Sequence, residues 1–131
     1  MAKPAVLKTQ AQSFDESDAV FASAAELFAL LSTPIRLKIL SSLCNGEKNV
    51  SQLLEEIATT QPNMSQHLTT LYRAGVIGRR REATQIYYCI QSQQAASVCR
   101  SVCTQIALDL SDADTQPMPT PVLKRAARKR A

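Results

Sequence analysis

Histidine occurs once in the 131-residue chain, at position 67, and glycine three times. One imidazole cannot build a zinc site of histidines, and no cysteine–histidine dyad falls on facing elements. Three scattered glycines leave no Gly-rich loop to cradle a phosphate, and no cluster of carboxylates frames a pocket. These shortages exclude the usual catalytic inventories, so neither an enzyme nor a bound cofactor is expected. No stretch is long and apolar enough to cross a membrane. The amino end, polar and irregular to about Asp18, lacks the continuous apolar run of a signal peptide. The expected location is the cytoplasm, where thiols stay reduced and structural disulfides are rare. There is no internal repeat.

What is present is unevenly spread. The formal charge of +4 and the pI near 9.0 suit an acidic partner. Residues 111–131 carry Lys124, Arg125, Arg128, Lys129 and Arg130 against Asp112 and Asp114, which places +3 of that +4 in the tail. Pro117, Pro119 and Pro121 and the lack of periodicity mark the tail as disordered. With residues 1–18 also expected to be disordered, one domain remains, 19–110. Its core is small, and an obligate dimer would bury more surface.

Inside that domain the stretch Thr60 to Ala74, T-Q-P-N-M-S-Q-H-L-T-T-L-Y-R-A, carries two faces at once. Thr60 is a natural N-cap, and Pro62 falls in the first turn, where a missing N–H costs least. Met64, Leu68 and Leu71 recur at helical spacing, while Gln66, Thr69, Thr70 and Arg73 project from the other side. The outward set lacks carboxylates. Amides, hydroxyls and a guanidinium hydrogen-bond base edges and phosphates in a major groove, and Gln61, Asn63 and Ser65 extend that set toward the helix start. Upstream, Val50, Leu53, Leu54 and Ile57 form a short amphipathic helix, and Ala58-Thr59 leaves room only for a tight turn, which is helix-turn-helix spacing. Downstream, Gly75 ends the helix, and Val76 to Glu82 and Gln85 to Ile90 read as two strands joined around Ala83-Thr84. Arg79, Arg80 and Arg81 on the first strand become candidates for phosphate contact beside such a unit. The basic tail is then either an arm adding nonspecific DNA affinity or a solubilising extension.

The remaining segments complete a mainly α winged helix-turn-helix. Val20, Ala24, Leu27, Phe28 and Leu31 form a first apolar stripe, and Ser32-Thr33-Pro34 caps and starts a second helix running to about Asn45-Gly46. A last helix, from about Gln93 to Leu110, carries Ala95, Val98, Cys99, Val102, Cys103, Ile106 and Leu110 on one side. That stripe and the first helix are expected to pair with their symmetry mates in a homodimer.

Three segments, L-S-T-P-I-R-L-K-I-L at 31–40, N-M-S-Q-H-L-T-T-L-Y-R-A-G-V-I at 63–77 and R-R-E-A-T-Q-I-Y-Y at 80–88, resemble the ArsR/SmtB winged-helix repressors over roughly residues 19–110. The resemblance implies a dimeric transcriptional repressor whose affinity for double-stranded operator DNA changes when a metal, metalloid or reactive small molecule engages side chains in the dimer. The wing, with alanine where most members place glycine, is similar to the branch that includes the reactive-sulfur sensors. The cysteine pair of the arsenic and cadmium sensors is replaced by Asn49 and Ser51. The zinc sensors' histidines are missing, and His67 reads as a packing or phosphate-contacting residue. Aligned with the sulfur sensors, their two cysteines fall on Ser41 and near Ala107. Cys44 lies about one turn after the first position and Cys103 one turn before the second.

Each of the four cysteines could be a small buried hydrophobe. Cys89, in the second wing strand, reads as filler. Cys99 and Cys103 stand at i and i+4, where Cβ atoms are about 5–6 Å apart, too far for an unstrained disulfide at about 3.5–4.5 Å. An inserted sulfur atom lengthens such a bridge, and a soft ion held by several thiolates relieves the strain differently. Cys44, Cys99 and Cys103 are therefore the candidate thiol sensor. Their inducer would be a sulfane-sulfur species or oxidant joining Cys44 to Cys103 or Cys99. Arsenite or another thiophilic ion bound by all three is the alternative, and purely structural cysteines a third.

Overall fold

The computed structural model describes the backbone of residues 2–113 and the side chains of residues 16–112. Five helices and one hairpin follow one another: α1 (Ala2–Leu30), α2 (Pro34–Leu43), α3 (Val50–Glu56), α4 (Gln61–Arg73), β1 (Ile77–Glu82), β2 (Gln85–Ile90) and α5 (Gln93–Ala113). Short polar side chains define where the middle helices start. Thr33 Oγ1 accepts from the Arg36 amide at 3.2 Å ahead of Pro34 in the first turn of α2. Asn49 and Gln52 form a reciprocal capping box at α3, each side chain accepting from the other's amide at 2.9 Å. Thr60 accepts from the Asn63 amide at 3.3 Å and starts α4.

α4 ends in a Schellman arrangement. The Val76 amide donates to Leu71 and the Gly75 amide to Tyr72, both at 3.0 Å, with Gly75 at φ +78°. That geometry turns the chain directly into β1. The antiparallel hairpin runs in register from Ile77 opposite Ile90 to Glu82 opposite Gln85. Lys48 adds a single bridge on the far side of β2, exchanging backbone hydrogen bonds with Tyr88 at 3.1 and 2.8 Å.

The core lies where α2, α3, α4, the base of the wing and the first half of α5 meet. Ile39, Leu40, Leu53, Met64, Leu68, Leu71 and Ile77 are fully buried there. Each aliphatic side chain so buried stabilises the fold by about 1.5–3 kcal/mol. Two findings depart from the sequence reading. The segment to Asp18, expected to be disordered, is continuous with α1. Apart from Pro4 in its first turn it contains no helix breaker and is rich in Ala, Lys and Gln. α5 continues past Leu110 to Ala113. The first apolar stripe reaches the core only through Leu31 and partly through Leu27, and Val20 and Phe28 stay exposed on the helix expected to pair with its symmetry mate. The basic tail from residue 114 lies outside the described residues.

Candidate nucleic-acid interface and thiol cleft

α4 sorts its side chains as amphipathic spacing requires. Met64, Leu68 and Leu71 are buried, Gln66, Thr69 and Arg73 are exposed on the opposite face, and Gln61 and Ser65 are exposed toward the helix start. Two candidate contact residues are already engaged. Asn63 donates through Nδ2 to Thr59 Oγ1 at 2.7 Å, which ties the turn to the helix start. Thr70 donates to the Gln66 carbonyl one turn back at 3.0 Å. His67 is a packing residue in this structure: its Nδ1 accepts from Arg36 Nε at 3.1 Å, and Arg36 also donates to the Leu30 carbonyl. One guanidinium thus joins the end of α1, the start of α2 and the middle of α4. Partial burial, and then the Arg36 charge, hold the His67 pKa below its ordinary value.

The three wing arginines divide by strand alternation. Residues directly opposite in an antiparallel pair share a face. Arg79 is paired with Tyr88 and Arg81 with Ile86, whereas Arg80 is paired with Tyr87 on the other side of the hairpin. Arg79 reaches the Tyr72 ring at the end of α4, 4.0 Å from its centroid. Arg80 is bound by carboxylates: Nε lies 2.9 Å from Glu47 and Nη1 2.9 Å from Glu82. Its hydrogen bonds hold Glu47 below the ordinary carboxylate range. Of the three candidate phosphate-contacting arginines, Arg80 is thus the one engaged by carboxylates. Arg80 anchors the wing to the turn after α2, while Arg79 and Arg81 have no carboxylate partner among the described residues. The sequence carried no local sign of this, because Glu47 and Arg80 are 33 residues apart.

Cys44, at the C-cap of α2, meets α5 across a cleft of about 260 Å³ lined by Ser41, Cys44, Asn45, Cys99, Arg100, Cys103 and Thr104. The cleft gathers all three candidate sensor thiols, but their access differs. Cys44 is half-buried, Cys103 exposed and Cys99 buried, with Cys99 Sγ 3.8 Å from the Leu37 carbonyl. Burial, reinforced by Cys103, pushes the Cys99 thiol up to about 11, so it remains protonated at neutral pH. Among the described residues no group of three Cys, His, Asp or Glu side chains stands close enough to hold a metal ion. Cys89 is half-buried in β2 and lines a neighbouring cleft that also includes Cys44, Glu47 and Arg100.

A polar network at the end of α2 was not visible in the sequence. Ser42 donates to Glu56, while Lys48 Nζ donates to Ser42 at 2.8 Å and to Glu56 at 2.7 Å. It joins the helix that ends at Cys44 to α3 of the helix-turn-helix. Through the backbone of Lys48 it reaches β2.

A short helix, a tight turn, a second helix with a polar outer face and a two-stranded hairpin define a winged helix-turn-helix DNA-binding protein. Residues 33–78 match the model of the bacterial regulatory proteins of the arsR family. The chain is similar to the biofilm growth-associated repressor of Xylella fastidiosa, 35% identical over 85 residues, which are 62% of this chain and 75% of that protein. It therefore belongs to the arsR family, whose members are regulators and not enzymes. Among solved structures, the transcriptional repressor BigR of the same bacterium superposes with a TM-score of 0.64 at 29% identity, over 72% of this chain and 94% of that one. A homodimeric winged helix-turn-helix DNA-binding domain from Mycobacterium bovis gives 0.59 at 28% identity, over 72% and 86%. Among the described residues no single helix is long and apolar enough to cross a membrane.

Proposed function

We propose that the chain is a homodimeric cytoplasmic repressor that binds operator DNA through α4 and the wing, and that thiol chemistry between α2 and α5 releases it. Gln61, Ser65, Gln66, Thr69 and Arg73 read the groove, Arg79 and Arg81 contact phosphate, and Arg80 fixes the wing that carries them. The observation that carries the switch is the cleft itself, in which an accessible thiol on α2, Cys44, faces an exposed one on α5, Cys103. A bridge of one or more sulfur atoms joining the two would tie α5 to the end of α2. The strain would reach α3 through Ser42, Lys48 and Glu56. Sulfane sulfur is favoured over arsenite because Cys99, the third ligand an arsenite site would need, is buried, and among the described residues no three such side chains stand close enough to hold an ion.

Fluorescence anisotropy on duplexes taken from upstream of the gene tests this reading. Reduced protein should bind, sodium tetrasulfide should release it, and a dithiol should restore binding. Cys103→Ser should bind normally and ignore tetrasulfide, whereas Gln66→Ala should lose base preference without losing the response. Release of the Cys103→Ser protein by tetrasulfide overturns the switch. Release of the parent by arsenite but not by tetrasulfide assigns the cleft to a metalloid instead.

A further inference from the structure

The cleft between α2 and α5 carries one formal charge. Among its described lining residues Arg100 is the one side chain with a permanent charge, its neighbours being Ser41, Asn45, Thr104 and the three cysteines. It makes no hydrogen bond or ion pair among the described residues. It also lines the adjoining cleft with Cys44 and Cys89, where the carboxylate of Glu47 is already bound to Arg80. The C-terminal end of α2 contributes negative potential at Cys44. Arg100 is thus the one group here that attracts an anion. At about 100° per residue it lies about 200° around α5 from Val102, away from the apolar face that a second copy would cover.

We propose that Arg100 is the anion-selecting residue of this cleft, and that the reagent it admits is a small anionic sulfane-sulfur donor of the hydropolysulfide class. This rests on the thiol switch proposed above and adds its chemical selectivity. The cleft volume lies below the range of about 300–1,000 Å³ usual for drug-sized ligands, which suits a chain of a few sulfur atoms. The step balances with hydrogen tetrasulfide monoanion as the oxidant. The Cys44 thiolate attacks an inner sulfur and displaces HSS⁻, leaving Cys44–S–S–SH. The Cys103 thiolate then attacks the middle sulfur of that group and displaces HS⁻, leaving Cys44–S–S–S–Cys103. In sum, two thiols and HS₄⁻ give the trisulfide, HSS⁻ and H₂S. The two cysteine sulfurs lose two electrons, which the released sulfur takes up, and the two thiol protons leave on H₂S and water-exchanged HSS⁻.

The test uses two alkylating reagents that differ in charge alone. Iodoacetate and iodoacetamide are reacted with the full chain, and modification of Cys44 and Cys103 is followed by mass spectrometry. Arg100→Gln should lower the iodoacetate-to-iodoacetamide rate ratio about two- to fivefold, as expected for one partly exposed charge, and Arg100→Lys should restore it. Tetrasulfide crosslinking should slow by a similar factor, while crosslinking by diamide, a neutral oxidant, should not. Circular dichroism should show the same fold, since Arg100 is exposed. Equal ratios in the parent and Arg100→Gln overturn the selectivity, whether or not tetrasulfide releases DNA. A charge-dependent ratio with no release of DNA by tetrasulfide retains Arg100 as an anion-selecting group and overturns the switch.

Discussion

At the residue scale the informative contacts are those between side chains far apart in sequence. Spacing alone separated the buried Met64, Leu68 and Leu71 from the exposed Gln66, Thr69 and Arg73, because a helix of known phase determines both faces. It could not show that Arg36 would hold His67, since the two are 31 residues apart and a lone histidine on a helix suits several roles. The contact has a pH signature. His67 accepts from Arg36 only when neutral, and its pKa in the folded chain is depressed from the ordinary 6.5. The unfolded chain therefore binds the proton more readily. The stabilisation is fully present above about 6.5 and is lost as pH falls below it through the folded value. Melting temperature should decline across that window, before Glu47 and Glu56, both held below 4.5, begin to titrate. His67→Gln keeps an acceptor for Arg36 without the titration and should flatten the slope. Parallel slopes for the two proteins would exclude His67 as the cause.

At the scale of elements, the wing shows how a locally legible hairpin can still hide its constraint. The two strands and the turn between them were readable from Val76 to Ile90, and the observed strands begin and end within a residue of that reading. What the pattern could not convey is the backbone of the turn. Ala83 sits at φ +55°, in the left-handed region that favours glycine and costs other residues about 1–2 kcal/mol. Ala83→Gly removes the Cβ conflict but adds freedom to the unfolded chain. The net expected gain is about 0.5–1 kcal/mol. Thermal unfolding should shift upward, and hydrogen exchange at β1 and β2 should slow. A loss of stability would mean that the turn holds Ala83 without strain. The cysteines divide for a related reason. Periodicity put Cys99 and Cys103 on one face of α5, yet α2 covers only the first of them, because packing against α2 stops between the two.

At the scale of the whole molecule, the apolar surface left uncovered points to a second copy. Val20, Phe21 and Phe28 on α1 are 63%, 70% and 59% exposed, and Val102, Ile106 and Leu110 on α5 are 49%, 41% and 62% exposed. Monomeric proteins seldom leave so many large apolar side chains in water on two elements. None of these apolar side chains belongs to α4 or the wing, and the polar face of α4 is itself exposed, so a dimer covering them can leave both recognition helices free. A two-fold dimer formed there would present two copies of α4 about 34–36 Å apart, one turn of duplex, to an imperfect palindrome. Sedimentation equilibrium should find a dimer whose melting temperature rises with protein concentration, because association stabilises only the folded chain. Phe28→Glu should shift the chain toward monomer while leaving its circular dichroism intact, since this ring lies outside the core. Operator affinity should then fall at least tenfold, because each half-site must be bound without its linked neighbour. A parent protein that sediments as a monomer and binds the palindrome no better than a single half-site would leave the exposed face of α1 and α5 without this role.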